Sequence, residues 1–186
     1  MRTSNYEKWP RVDVPGGAGS AWRGWSAIAV ELRDQLSRVQ TEAPGRPQVL
    51  AIECYSGVSE PEICAGLRAA FDAAVWINTR DAFRSAHEID RLVAPDLGGD
   101  DPLFGFLTRL TIDDFLSAEK VAALRARVAH ARGSVVVIGP GASVIASHPT
   151  LLVYADLARW EAQRRQRRGD ISNLGVENRG LKPSLQ

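Results

Sequence analysis

Hydrophobic positions along this chain alternate between a helical rhythm and short unbroken apolar runs. Trp22, Trp25, Ile28, Ala29, Leu32 and Leu36 recur three or four residues apart, which predicts a helix over residues 21–39. Residues 42–47 break it. The run at 49–52 that follows is short and bounded, as in a buried parallel strand. The alternation continues with a helix at 61–71 and a strand at 74–77. Ser85 is placed to cap a short helix, SAHEIDRLV, with Glu88 at the capping-box position. After a loop at 96–102 (DLGGDDP), Asp113 or Ser117 opens the helix AEKVAALRARVAHAR, which stops at Gly133. The β-branched run at 134–138 predicts a strand, Gly139-Pro140-Gly141 a turn, 151–154 another strand, and 157–168 an arginine-rich helix.

Strands separated by helices of this length predict βαβ units, that is, an α/β fold with a three-layer parallel sheet and helices on both faces. The organisation expected is an N-terminal extension and helix over 1–46, a core domain over 47–170, and a tail or linker over 171–186.

The composition narrows the function classes. The 186 residues are 45% apolar and 24% charged, with a net charge of +1, as expected of a soluble globular protein that binds neither nucleic acid nor a membrane surface. Cys54 and Cys64 are too few and too far apart for a disulfide framework or a zinc ribbon. The polar first residues lack an apolar signal region and no apolar run spans a bilayer, so a cytoplasmic location is expected.

The stretch QVLAIECYSGVSEPEICAGL carries the most chemistry. An apolar strand meets a loop containing Gly57 and then a helix, the layout in which backbone N–H groups and a helix N-terminus face an anion. Ser56 and Ser59 are placed to donate to a phosphate; Gly57 equally serves as a plain tight turn. The phosphate-loop pattern G-x-x-x-x-G-K-[ST] needs a lysine for the transferred phosphate and a hydroxyl for magnesium. Here Glu60 and Glu62 open the helix, and the three lysines of the chain are Lys8, Lys120 and Lys182. A carboxylate about 4 Å from a phosphate repels it by about 4 kcal/mol at an effective dielectric near 20. That is about a thousandfold in affinity, and rotation of either side chain into water relieves much of it.

Other candidates have two readings each. Asp81, beside Arg80 and Phe83 after the second strand, is either a base for a substrate hydroxyl or a turn residue. Asp113 and Asp114 are either a metal pair or a helix cap. Arg164, Arg165 and Arg168 are either a phosphate clamp or a solvated face supported by the Glu161–Arg165 pair. His87, His130 and His148 are scattered without ligand spacing, and no metal site is expected.

Together the segments AIECYSGVSEPEI, INTRDAF, SVVVIGPGA and LLVYADLARWEAQRRQRRGD, covering about residues 48–170, resemble the uridine kinase-like branch of the P-loop kinases. Most of the chain, through NYEKWP, DDPLFG, RLTIDDF, VYADLARWEAQRRQRRG and ISNLGVENR, resembles the N-terminal domain of bacterial proteins classed as class I mannose-6-phosphate isomerases, in which a degenerate kinase-like domain precedes a zinc-dependent cupin domain. The resemblance implies a phosphate-loop glycine at Gly57, an acidic position at Asp81 that is catalytic only in an active kinase, and lid arginines at Arg164, Arg165 and Arg168. It gives the lysine and the magnesium hydroxyl no clear counterpart, so ATP and Mg are disfavoured as cofactors. No cupin strands and no His/Glu zinc ligands are present, so isomerase activity does not carry over.

Three functions are therefore expected in competition. The first is a non-catalytic binding or regulatory module tied to sugar-phosphate metabolism, with a phosphorylated small molecule and a cupin isomerase domain or a second copy as partners. The second is an active small-molecule kinase in which Arg80 or Arg84 replaces the lysine. The third is an interaction domain built on Trp9, Trp22 and Trp25.

Overall fold

Four strands run parallel in one sheet: β1 (Val49–Cys54), β2 (Val75–Asn78), β3 (Val135–Gly139) and β4 (Leu151–Ala155), in the order β2-β3-β1-β4. Val49 pairs with Val135, and Leu50 with Leu151, which places β1 and β3 at the centre, where Leu50, Ala51, Ile52 and all of β3 are buried. The computed structural model describes residues 10–42, 47–72, 74–97 and 107–179. Lys8, Trp9, most of the 96–102 loop and Lys182 lie outside them.

Side chains alternate across the sheet, and each face collects its own helices. Leu50, Ile52, Cys54, Val136 and Ile138 share a cluster with α1 (Trp25–Glu42) and α2 (Glu60–Leu67). Val49, Ala51, Val135 and Val137 pack with α3 (Ala86–Val93), α4 (Ala118–His130) and α5 (Ala142–Ile145). The α/β class and the all-parallel sheet with helices over both faces thus agree with the sequence pattern. The chain leaves β1 towards β2 on one side and leaves β3 towards β4 on the other. The carboxyl ends of these two adjacent central strands therefore form a topological switch point, where open α/β sheets leave a crevice.

Local details differ from the pattern for identifiable reasons. Helix α1 begins at Trp25, and Trp22 stands ahead of it, 45% exposed. Trp25 lies over Gly66 of α2, where any Cβ would collide with the indole, so this tryptophan packs within its own chain. The Ser85–Glu88 capping box is formed at α3. Asp114 instead closes a capping box with Thr111 on the 3-10 turn Ile112–Phe115, and α4 opens after Ser117. Helix α5 follows the Gly-Pro-Gly turn and is too short to leave a periodic signal. Residues 171–179, within the segment expected to be a tail or linker, lie against the body: Leu174 and Val176 pack on the α3–α5 cluster.

Both cysteines are free. Burial, helped by the nearby Glu60 charge, pushes the Cys54 thiol up to about 12, and burial also raises Cys64. Among the described residues no helix is long and apolar enough to cross a membrane. Nor do three His, Cys, Asp or Glu side chains converge there in an arrangement suited to a metal ion.

Candidate functional site

A cavity of about 490 Å³ opens at the switch point. One wall is the loop after β1 with the first residues of α2. Arg80, which reaches Glu60, lines the cavity together with Phe83, Arg84 and Lys120, and the segment from Asp170 to Gly175 with Glu177 and Arg179 completes the lining. Its size suits a small-molecule ligand.

The floor is set by one buried carboxylate. Counting the phosphate-loop pattern from Cys54 places Ser59 at the second glycine position, Glu60 at the lysine and Pro61 at the hydroxyl. Glu60 is 4% exposed, so its side chain has not turned into water as that of Glu62 has. The Asn78 amide donates to it at 2.8 Å and the Arg80 guanidinium at 3.2 Å. The first helical turn suits this anion, because the helix dipole is positive there. Arg80 also reaches Glu177 at 3.6 Å, and Glu177 meets Arg179 at 3.8 Å, so opposite charges alternate across the cavity.

The loop itself faces the cavity through Ser56, Gly57 and Ser59. Gly57 has φ +95, and a Cβ there would press on Ile171 and Ala162, so both its left-handed backbone and its contacts favour glycine. The Ser59 hydroxyl accepts the Glu62 N–H as the N-cap of α2.

The other central turn is closed. Gly139, at φ +127, lies against Thr79, whose Oγ1 is buried and has no hydrogen-bond partner; a Cβ on Gly139 would collide with it. Beyond it, the Glu53 carboxylate accepts from Gly141 N at 2.6 Å, Ser143 N at 2.8 Å and the Ser143 hydroxyl at 2.7 Å. The amides at the start of α5 thus already hold an anion, supplied by β1 itself.

The remaining candidates are dispersed. Asp81 is exposed on the 3-10 turn Thr79–Ala82 and is not part of the cavity lining. On α6 (Arg159–Arg167), Arg165 binds Glu161 at 3.2 Å and donates to Gly57 O at 3.0 Å, facing a neighbouring cleft of about 230 Å³. Arg168 pairs with Asp170 at 2.7 Å, which raises the pKa of its guanidinium, while hydrogen bonding from Arg165 lowers that of Glu161. Arg164 is exposed, and like Arg168 it lies outside the lining of the larger cavity.

Sequence reasoning missed Lys120, Glu177 and Arg179. Lys120 stands 60 positions after Glu60, and no local pattern links the two. Its Nζ donates to Phe83 O at 2.8 Å, and Arg84 Nε donates to Asp114 O at 2.7 Å. Among the described residues neither cation has a carboxylate within salt-bridge distance. The arrangement can hold a small anion. Among the described residues no lysine stands on the loop at 55–59, and the Ser59 hydroxyl is engaged as the cap of α2.

The model of a family described as a domain of unknown function (DUF8485) matches residues 24–186. No curated protein and no solved structure matches the chain.

Proposed function

The chain belongs to the DUF8485 family, and we propose that it is a degenerate P-loop kinase-like module that binds a phosphorylated small molecule without turning it over. The observation that carries this reading is Glu60: a buried carboxylate, tied to Asn78 and Arg80, stands where phosphoryl transfer places its lysine. The parallel sheet, with the strand-loop-helix unit Val49–Cys54, 55–59 and Glu60–Leu67 at its switch point, supports the kinase-like ancestry. The resemblance to N-terminal domains of class I mannose-6-phosphate isomerase-like proteins supports a role in sugar-phosphate metabolism, beside a cupin isomerase domain.

The kinase alternative asks an arginine to replace the lysine. Arg80 is committed to Glu60 and Glu177, and its planar fork substitutes poorly for a flexible ammonium. An interaction role draws on the edge strand β4, where Leu152 and Tyr154 are 54% and 60% exposed. Titration with ATP or GTP and magnesium, followed by thermal melting and a turnover assay, tests the main reading. The expected result is no magnesium-dependent stabilisation and no phosphoryl transfer. A magnesium-dependent rise in melting temperature accompanied by turnover overturns it.

A further inference from the structure

We propose that the anionic group of the ligand is seated by Arg84, which precedes α3, and Lys120, in the first turn of α4, rather than by the loop at 55–59 that lines the same cavity; this rests on the binding function proposed above. The argument begins with which charges are already spent. On the loop side, Glu60 holds Arg80, and Glu177 reaches both Arg80 and Arg179. A phosphate placed there meets a buried carboxylate and cations that already have partners.

The anchors of Arg84 and Lys120 are neutral. Lys120 donates to the carbonyl of Phe83, Arg84 to that of Asp114, and the Arg84 backbone N–H to Phe115 O at 2.9 Å. An antiparallel bridge between Phe83 and Leu116 holds these two segments together. The nearest carboxylates spend their direct hydrogen bonds on caps: Glu88 accepts from the Ser85 N–H and hydroxyl, and Asp114 from the Thr111 N–H and hydroxyl, while the charges of Arg84 and, for Glu88, Lys120 are felt only at longer range, outside salt-bridge distance. These hydrogen bonds hold both acids below the usual carboxylate range. A carbonyl fixes the position of a cation without cancelling its charge. Both groups therefore face the cavity as oriented positive charges, and two such charges match a phosphate monoester, which carries about −1.5 to −2 at neutral pH.

The rest of the lining gives the class of the ligand's other half. Glu60, Glu177, Ser56 and Ser172 line the same cavity, and their carboxylates and hydroxyls suit a body rich in hydroxyl donors. The ligand class is a small hydroxylated phosphate monoester, bound without a divalent cation because side chains supply the counter-charge. Both cations are exposed, so its affinity falls as ionic strength rises.

The test uses the whole chain and glycerol 3-phosphate, with glycerol, inorganic phosphate and pyrophosphate beside it, read by calorimetry and thermal melting. Glycerol 3-phosphate is expected to bind without magnesium, and glycerol to be silent. Arg84→Gln and Lys120→Gln each keep a donor for the backbone carbonyl, and each should weaken binding at least tenfold, as expected for loss of a charge-assisted hydrogen bond. The double variant should abolish binding while melting like the parent in the absence of ligand; should it melt lower, the single variants decide. Arg127→Gln, on the same helix and outside the cavity, should leave binding unchanged. Binding that survives the Arg84 and Lys120 variants and is lost with Ser56→Ala overturns the seat but leaves the binding function standing. Silence of every phosphate probe overturns both.

Discussion

Two strand-to-helix turns lie side by side at the same end of the sheet, and each encloses a glutamate. After β3, Glu53 accepts hydrogen bonds from two backbone amides and a hydroxyl, so that turn has become internal structure. After β1, Glu60 is itself the first helical residue, and its partners are side chains from the end of β2, one of them half exposed. The first turn is closed by a carboxylate from the neighbouring strand β1. The second remains the floor of an open cavity, with a buried carboxylate in it. The same residue type thus fills one turn and leaves the neighbouring one open, because in one case the amides are spent on the carboxylate and in the other the carboxylate is held by side chains.

The comparison can be broken first at the closed turn. Gly139→Ala forces a side chain onto a left-handed residue and against Thr79 Oγ1, which cannot give way in a fully buried position. A loss of about 3 kcal/mol or more is expected, or a fall of roughly 6–12 °C in melting temperature for a chain of this size. An unchanged melting temperature contradicts the packing described.

A sharper contrast comes from the two glutamates themselves. Glu53→Ala strands two amides and a hydroxyl and should cost about 2–3 kcal/mol. Glu60→Ala should cost less, about 1–2 kcal/mol, because the half-exposed Arg80 recovers hydration. Affinity should move differently: Glu60→Gln removes a negative charge from the cavity and should strengthen glycerol 3-phosphate binding a few-fold, whereas Glu53→Gln should leave it unchanged. Urea midpoints and calorimetry on the same variants read both effects, and a reversed order denies the distinction between the turns.

The strands, the Ser85 capping box and the layered α/β plan were legible because each depends on neighbours in sequence: β-branched runs, a serine three positions before a glutamate, apolar residues at helical spacing. What the sequence hid is long-range. Nothing in the spacing of Glu60 and Arg80 shows that they meet inside the protein, and Lys120 reaches the cavity only because α4 packs behind the turn that follows β2. Residues 171–179 lack periodicity because they are shaped by local bonds such as Asn173 N to Asn178 Oδ1, at 2.9 Å, and by two apolar anchors, Leu174 and Val176. Arginine spacing near α6 left a phosphate clamp and a solvated face both open, and Glu161 and Asp170 pair with two of the candidate arginines.

The smallest effect concerns pH. The Cys54 thiol is raised from 9.0 to about 12 chiefly by burial, so the folded state holds a proton that the unfolded chain releases. Its contribution is complete below pH 9 and is lost as pH rises towards 12. By pH 10 stability should have fallen by about 1 kcal/mol from this group. Denaturant midpoints compared between the parent and Cys54→Ala should show the alkaline slope flattened in the variant; equal slopes remove the thiol from the account.

The most direct measurement is a crystal structure of the full chain grown with pyrophosphate and magnesium. The account predicts pyrophosphate against Arg84 and Lys120, free of metal, with Glu60 still bound to Asn78 and Arg80. Pyrophosphate resting on the amides of Gly57 to Glu60, with magnesium beside it and Arg80 released from Glu60, would contradict it.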